Sequence, residues 1–157
     1  MSLRIERWRG QPDVVERLAD WHVRQWKAIF PGWDEAAAVD EFNLQLQTDG
    51  LPATWLAYLD DELVGSISAL QEDSPELTDI PGPWMASFYI RPEARRRGAA
   101  PALMAAAADG VAALGYAEWH LFTEFHEDYY RRFGWSVLER RELHGQTVSI
   151  MRQRLPR

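Results

Sequence analysis

The segment Tyr89-Ile90-Arg91-Pro92-Glu93-Ala94-Arg95-Arg96-Arg97-Gly98-Ala99-Ala100-Pro101-Ala102-Leu103-Met104 constrains the fold more than any other. An apolar strand end runs into a loop with three consecutive arginines, and small residues then open an alanine-rich helix. The first turn of a helix carries amides with no internal partner and the positive end of the helix dipole. Small side chains let an anion reach those amides, and neighbouring arginines add charge and forked donors. By itself a basic run before a helix is ordinary solvated surface. The order of the small residues and the strand ahead of them favour a pyrophosphate cradle.

Arg95, Gly98 and Ala100 resemble the pyrophosphate motif of the GNAT superfamily of acyl-CoA N-acyltransferases: Arg or Gln, two residues, Gly, one residue, then Gly or Ala. Upstream, Ile90-Arg91-Pro92-Glu93 resembles the end of that family's fourth strand. Downstream, Tyr129-Tyr130-Arg131-Arg132-Phe133-Gly134-Trp135 is similar to the aromatic-Tyr-x-x-x-Gly-aromatic signature after its fifth strand. The specific matches cover residues 84–137, and elsewhere only the element order agrees.

The 157 residues fit one domain spanning 1–157, of which 46% are apolar, enough for a real core. The net charge of −7 argues against a general nucleic-acid binder and favours a cationic or neutral substrate. With no cysteine there is no disulfide framework and no thiol nucleophile, and the four histidines lack metal-ligand spacing, so no metal is expected. The first eight residues have no apolar signal core, and no apolar run reaches the ~18 residues that span a bilayer. These features predict a cytoplasmic protein with no membrane partner.

Residues 3–8 read as a strand. Asp13 reads as an N-cap, with Glu16 completing a capping-box-like pair, ahead of a helix with Val15, Leu18, His22, Trp26 and Ile29 on one face. Pro31-Gly32 ends it. Asp34 starts a second helix with Val39, Phe42 and Leu46 as its apolar stripe. Residues 54–59 and 63–70 form a hairpin around Asp60-Asp61-Glu62. Residues 71–83 are irregular and acidic, with Glu72, Asp73, Glu76 and Asp79. A strand over 84–90 precedes the arginine loop. The helix over 100–114 buries Leu103, Ala107, Val111 and Leu114 and stops at Gly115. A strand over 117–123, a short helix over 128–133 ended by Gly134, and a hairpin around His144-Gly145 complete the order β-α-α-β-β-β-α-β-α-β-β. This predicts an α/β fold, a mixed sheet of about seven strands with about four helices, with the unit at 84–123 parallel.

The resemblance implies acetyl transfer from acetyl-CoA to a primary amine, small molecule or peptide, by direct attack in a ternary complex. It implies that acyl-CoA lies where the fourth and fifth strands splay, with the main chain of Phe88, Tyr89 and Ile90 on the pantetheine arm. The side chain of Arg95 and the backbone amides of Arg96, Arg97, Gly98, Ala99 and Ala100 would hold the pyrophosphate. Pro101 departs from the pattern by removing one amide from the first turn. Tyr130, four residues before Gly134, occupies the place of the tyrosine that protonates the CoA sulfur. A phenol with an ordinary pKa of ~10 is protonated at neutral pH and can serve as that acid. Tyr129 reads as packing. No carboxylate stands on the strand over 84–90, which leaves Glu124, His120, His126 and Asp79 as candidate bases. Trp26, Phe30 and Trp33, among eight tryptophans in the chain and their aromatic neighbours, are candidates for an acceptor wall with cation–π attraction to an ammonium. A homodimer is compatible with the resemblance. The reading from another class is a non-catalytic acyl-CoA-binding sensor or interaction module.

Overall fold

The computed structural model describes residues 2–26 and 32–156. The elements are β1 (Leu3–Arg7), α1 (Val15–Trp26), α2 (Glu35–Leu44), β2 (Ala53–Leu59), β3 (Glu62–Leu70), β4 (Trp84–Ile90), α3 (Ala99–Ala113), β5 (Glu118–Thr123), α4 (Glu127–Arg131), β6 (Ser136–Leu143) and β7 (Gln146–Arg154). Short 3-10 turns lie at Gln45–Gln47, Pro75–Leu77 and Pro92–Ala94. The strands form a seven-stranded mixed sheet in the order β1-β2-β3-β4-β5-β7-β6. β4 and β5 are parallel, with Trp84 opposite His120, as a strand–helix–strand crossover requires. β5–β7 and β6–β7 are antiparallel, and the β6–β7 register shifts between Val137 and Glu139. His144 and Gly145 both take positive φ, 51° and 79°, the handedness that a tight hairpin turn needs.

The chain divides into two compact units, Met1–Ser68 with Ser87–Ala107, and Ala69–Ala86 with Ala108–Arg157. In the first unit, Trp8, Val14, Leu18, Phe42, Leu56, Tyr58 and Leu63 form a buried cluster. The Trp8 indole donates to the Phe42 carbonyl at 3.0 Å, so this large ring is buried without an orphaned N–H. Every residue of β2 is buried, which explains its continuous rather than alternating apolar pattern. In the second unit, Leu77, Ile80, Trp84, Leu143, Val148 and Ile150 pack together, and the Trp119 and Trp135 rings meet at 5.4 Å.

Several local expectations need correction. Asp13 has φ 62°, in the left-handed region, so it does not cap α1; the helix starts two residues later, with the Leu18 amide bonded to the Val14 carbonyl at 3.0 Å. Strand β1 ends at Arg7, and Trp8 turns into the core. Leu46 is exposed while Gln45 is buried, because α2 tightens into a 3-10 turn after Leu44 and rotates the stripe. Leu114 is exposed because α3 ends at Ala113, whereas Leu103, Ala107 and Val111 are fully buried. Asp34 does cap α2, its carboxylate accepting the Ala37 amide at 2.9 Å. Ile29 and Pro31 lie outside the described residues.

Candidate functional site

The arginine loop sits in the first unit. Arg96 has φ 66° and Gly98 has φ 90°, while Arg97 between them stays in the ordinary half of the map. Alternating backbone hand turns successive amides toward one side and makes an anion-binding concavity. Gly98 then becomes the capping residue of α3, its carbonyl accepting the Ala102 amide at 3.3 Å. A side chain at Gly98 would meet nothing nearer than Leu3 Cδ2 at 4.0 Å, so the protein leaves this face open. Glycine is required there by its φ and by what approaches from outside, not by crowding within the chain. Ala99 and Ala100 offer the next unpartnered helical amides, and Pro101 offers none. Arg96 and Arg97 are exposed. Arg95 behaves differently: its Nε donates to the Ile90 carbonyl at 3.0 Å, tying the loop to the end of β4. These residues fit a pyrophosphate, which is bound by open amides and flanking positive charge.

Strand β4 enters this unit at Ser87, which has φ 52° in the middle of an aromatic strand. Phe88 and Tyr89 are half-buried and Ile90 is buried. The Tyr89 ring lies 5.4 Å from the Trp21 ring of α1. A side chain on Gly65 of β3 would come within 2.7 Å of the Tyr89 carbonyl oxygen, so only glycine allows this approach of the two strands. The Ile90 carbonyl accepts the Arg95 Nε–H. On α1, Trp26 stacks on the buried His22 ring at 5.1 Å and 15°. Trp33 is half-buried and donates its indole N–H to Glu41 at 3.1 Å. Phe30 lies outside the described residues.

Tyr130 belongs to the second unit, on α4. Its ring stands edge-on to Trp135 with centroids 6.3 Å apart, and to Tyr129 at 5.3 Å. Its carbonyl accepts the Phe133 and Trp135 amides at 2.9 and 3.3 Å, and Gly134 closes the turn at φ 91°. Burial, and secondarily Tyr129, raise the Tyr130 phenol above its ordinary range, so it holds its proton firmly. Tyr129 packs on Phe133 at 5.2 Å, beneath the Arg132 guanidinium at 5.2 Å.

Two networks fix α4. Glu127 receives Arg140, Arg131 and the Ser149 hydroxyl. Gln153 accepts the Trp119 indole N–H at 2.7 Å and donates to the Phe133 carbonyl at 2.8 Å. Apart from the i,i+4 pair of Glu127 with Arg131, these bonds join residues 13 to 34 positions apart, with no local pattern in the sequence to announce them.

Part of the acidic segment is paired. Asp79 accepts two bonds from Arg141, both 2.8 Å, which holds its carboxyl below the usual range and removes it as a candidate base. Glu76 pairs with His144 at 3.3 Å. Desolvation instead pushes Asp73 up to about 7. The segment encloses a cavity of about 200 Å³ lined by Gln71, Glu72, Ser74, Leu77, Ile80 and Trp84, among others. His120 is buried against Trp84, its pKa lowered by burial, and its Nδ1 has no partner. His126 is exposed, and Glu124 is half-buried. No group of three potential metal ligands occurs among the described residues, and none of the described helices is long and apolar enough to cross a membrane.

The family model described as "Acetyltransferase (GNAT) family" matches residues 15–135. No curated protein sequence matches the chain. Among solved structures, an aminoglycoside 6'-N-acetyltransferase complexed with coenzyme A is similar at TM-score 0.75 and 16% identity, over 98% of each chain. A GNAT-family acetyltransferase from Streptococcus pneumoniae is similar at TM-score 0.70 and 16% identity, over 99% of this chain and 100% of that one. An N-acetylglutamate synthase from Neisseria gonorrhoeae, complexed with coenzyme A and N-acetyl-glutamate, is similar at TM-score 0.71 and 13% identity, over 100% of this chain and 36% of that one. At such identities the structural likeness speaks for the fold alone. The family match spans both the arginine loop and the Tyr130 turn, and on it the chain belongs to the GNAT family of acetyltransferases.

Proposed function

We propose that residues 1–157 act as one acetyl-CoA-dependent N-acetyltransferase domain that acetylates a primary amine by direct attack in a ternary complex. The observation that carries the reading is the open, alternating-hand backbone of Arg96, Arg97 and Gly98 at the head of α3. Coenzyme A bound to two of the solved relatives supports the same donor.

In this reading the amides of residues 96–100 and the exposed arginines hold the pyrophosphate, and the main chain of Phe88, Tyr89 and Ile90 guides the pantetheine arm. The amine attacks the thioester carbonyl carbon, the carbon–sulfur bond breaks, and Tyr130 gives its proton to the departing sulfur. Burial keeps the phenol protonated at neutral pH, so its O–H is available to the sulfur as the carbon–sulfur bond breaks, and the phenolate left behind takes a proton back from water. The amine is cationic or neutral before it reacts. The net charge of −7 and the Trp21 and Trp26 indoles support this, whereas Asp79 is held in an ion pair with Arg141. No carboxylate stands on β4, so the amine proton leaves through water or to Glu124.

The test is incubation with acetyl-CoA and a pooled amine panel, following free CoA thiol and acetylated product. Thiol release that depends on an amine supports the enzyme. Thermal stabilisation by coenzyme A with no release for any amine favours the sensor.

A further inference from the structure

His22 is completely buried, yet both its ring nitrogens face backbone carbonyls. Nδ1 lies 2.5 Å from the Leu18 oxygen, one turn back on α1. Nε2 lies 2.9 Å from the Ser87 oxygen, 65 residues away on β4, and 3.4 Å from the Ser66 hydroxyl on β3. Trp26 stacks on one side of the ring and Phe42 leans on it at 5.3 Å.

Ser87 is the left-handed residue of β4. A non-glycine residue persists there only where its surroundings over-determine it. Its carbonyl faces His22 at this left-handed kink, and Phe88 and Tyr89 follow directly after it. The carbonyl is a partly buried acceptor, and the fully buried His22 ring presents Nε2 to it at 2.9 Å.

We propose that His22 is a positioning residue that fixes the kink of β4 by donating its Nε2–H to the Ser87 carbonyl, and so sets the line of backbone that receives coenzyme A. The inference rests on the acetyltransferase reading for the ligand but not for the bond. A ring present only to fill the core would be replaceable by an apolar side chain of similar size, and nothing would depend on which nitrogen carries the proton. A neutral imidazole donates to only one of its two carbonyls and an imidazolium to both. Burial drives the ring toward the neutral form, and both carbonyls pull the other way. In either form the kink requires Nε2–H.

Three variants separate the roles. Glutamine can place an amide N–H where Nε2 stands, asparagine can reach only the Nδ1 position, and leucine supplies neither. Coenzyme A binding by calorimetry should weaken about tenfold in His22→Asn and His22→Leu, the equivalent of one lost hydrogen bond. His22→Gln should restore it to within about threefold of the parent even if its melting temperature stays low. Folded His22→Asn or His22→Leu protein that binds coenzyme A as the parent does overturns the proposal. A parent that binds no coenzyme A overturns the acetyltransferase reading as well, so the two failures are distinct. Should the variants not fold, ring nitrogen NMR of the parent decides: a protonated Nε2 is expected, and a bare Nε2 with the proton on Nδ1 overturns the proposal.

Discussion

Arg140 donates to Glu127 from two nitrogens, Nε to Oε2 at 3.1 Å and Nη2 to Oε1 at 2.9 Å, at the start of the short helix that carries Tyr130. A five-residue helix has almost no stability of its own, because nucleation costs more than one turn returns. Its place is therefore set by tertiary bonds: Glu127 on β6 and β7 at one end, Gln153 on the Phe133 carbonyl at the other.

Replacing Glu127 by Gln should lower kcat while leaving coenzyme A affinity nearly intact, since the anchor of α4 is weakened and the phosphate-binding loop is untouched. Arg140, and then Ser149, hold the Glu127 carboxyl below its ordinary range. A depressed carboxylate contributes stability that is present above its unfolded pKa, about 4.5, and is lost as pH falls through the folded value. The melting-temperature gap between parent and Glu127→Gln should thus be widest at pH 7 and close toward pH 3. A gap independent of pH would contradict the ion-pair account.

Asp73 carries the opposite sign. Its desolvated carboxyl titrates at about 7 against an ordinary 3.8, so the folded state binds a proton that the unfolded state releases. The stability linked to that proton is complete below about pH 4 and is lost as pH rises to about 7. Asp73→Asn should therefore raise the melting temperature more at pH 8 than at pH 4. Thermal melts at the two values check this, and equal shifts would show that the carboxyl is solvated.

Gly98→Val places a branched side chain at φ 90° in open space. The left-handed conformation costs an L-residue roughly 1–2 kcal/mol, a modest loss for the fold. Coenzyme A affinity should fall by far more than the melting temperature suggests, because the valine stands where the phosphates would approach. Arg95→Ala should weaken binding less, acting through the lost bond to the Ile90 carbonyl. Calorimetry showing parental affinity in both variants would move the cradle elsewhere.

Acetyl-CoA should stabilise the chain against heat. A ligand that binds only the native state adds about 2.7 kcal/mol at about 100 times its Kd. A melt unmoved by millimolar acetyl-CoA and coenzyme A would remove the basis for both the enzyme and the sensor.

Local chemistry made part of this legible. The Asp34 cap is written in adjacent residues, and the structure places it accordingly; α4 ends at Arg131, earlier than the glycine suggests, and Gly134 closes the turn that follows. The period of α3 gave its buried face but not its last residue, so Leu114 falls off the packed surface. Asp13 has a capping side chain, but its backbone takes the left-handed region and the helix begins beyond it. The acidic segment read as a charged field because Arg141, 62 residues from Asp79, could not be paired with it in advance. His22 stood in the helical stripe as one more packed residue; its bond to Ser87 depends on a kink that no residue type in β4 announces. What escapes the sequence here is long-range pairing of polar groups, and that is also what fixes β4 and the Tyr130 helix.

The most direct test of the account is the single-turnover rate of acetyl transfer by Tyr130→Phe, with an amine the parent accepts and with Tyr129→Phe as control. Phenylalanine keeps the ring that packs on Trp135 and removes the proton. The account predicts a fall of about 10²–10⁴-fold, the usual cost of a lost general acid, with coenzyme A affinity unchanged and Tyr129→Phe close to the parent. A Tyr130→Phe protein that transfers acetyl at the parental single-turnover rate would contradict it.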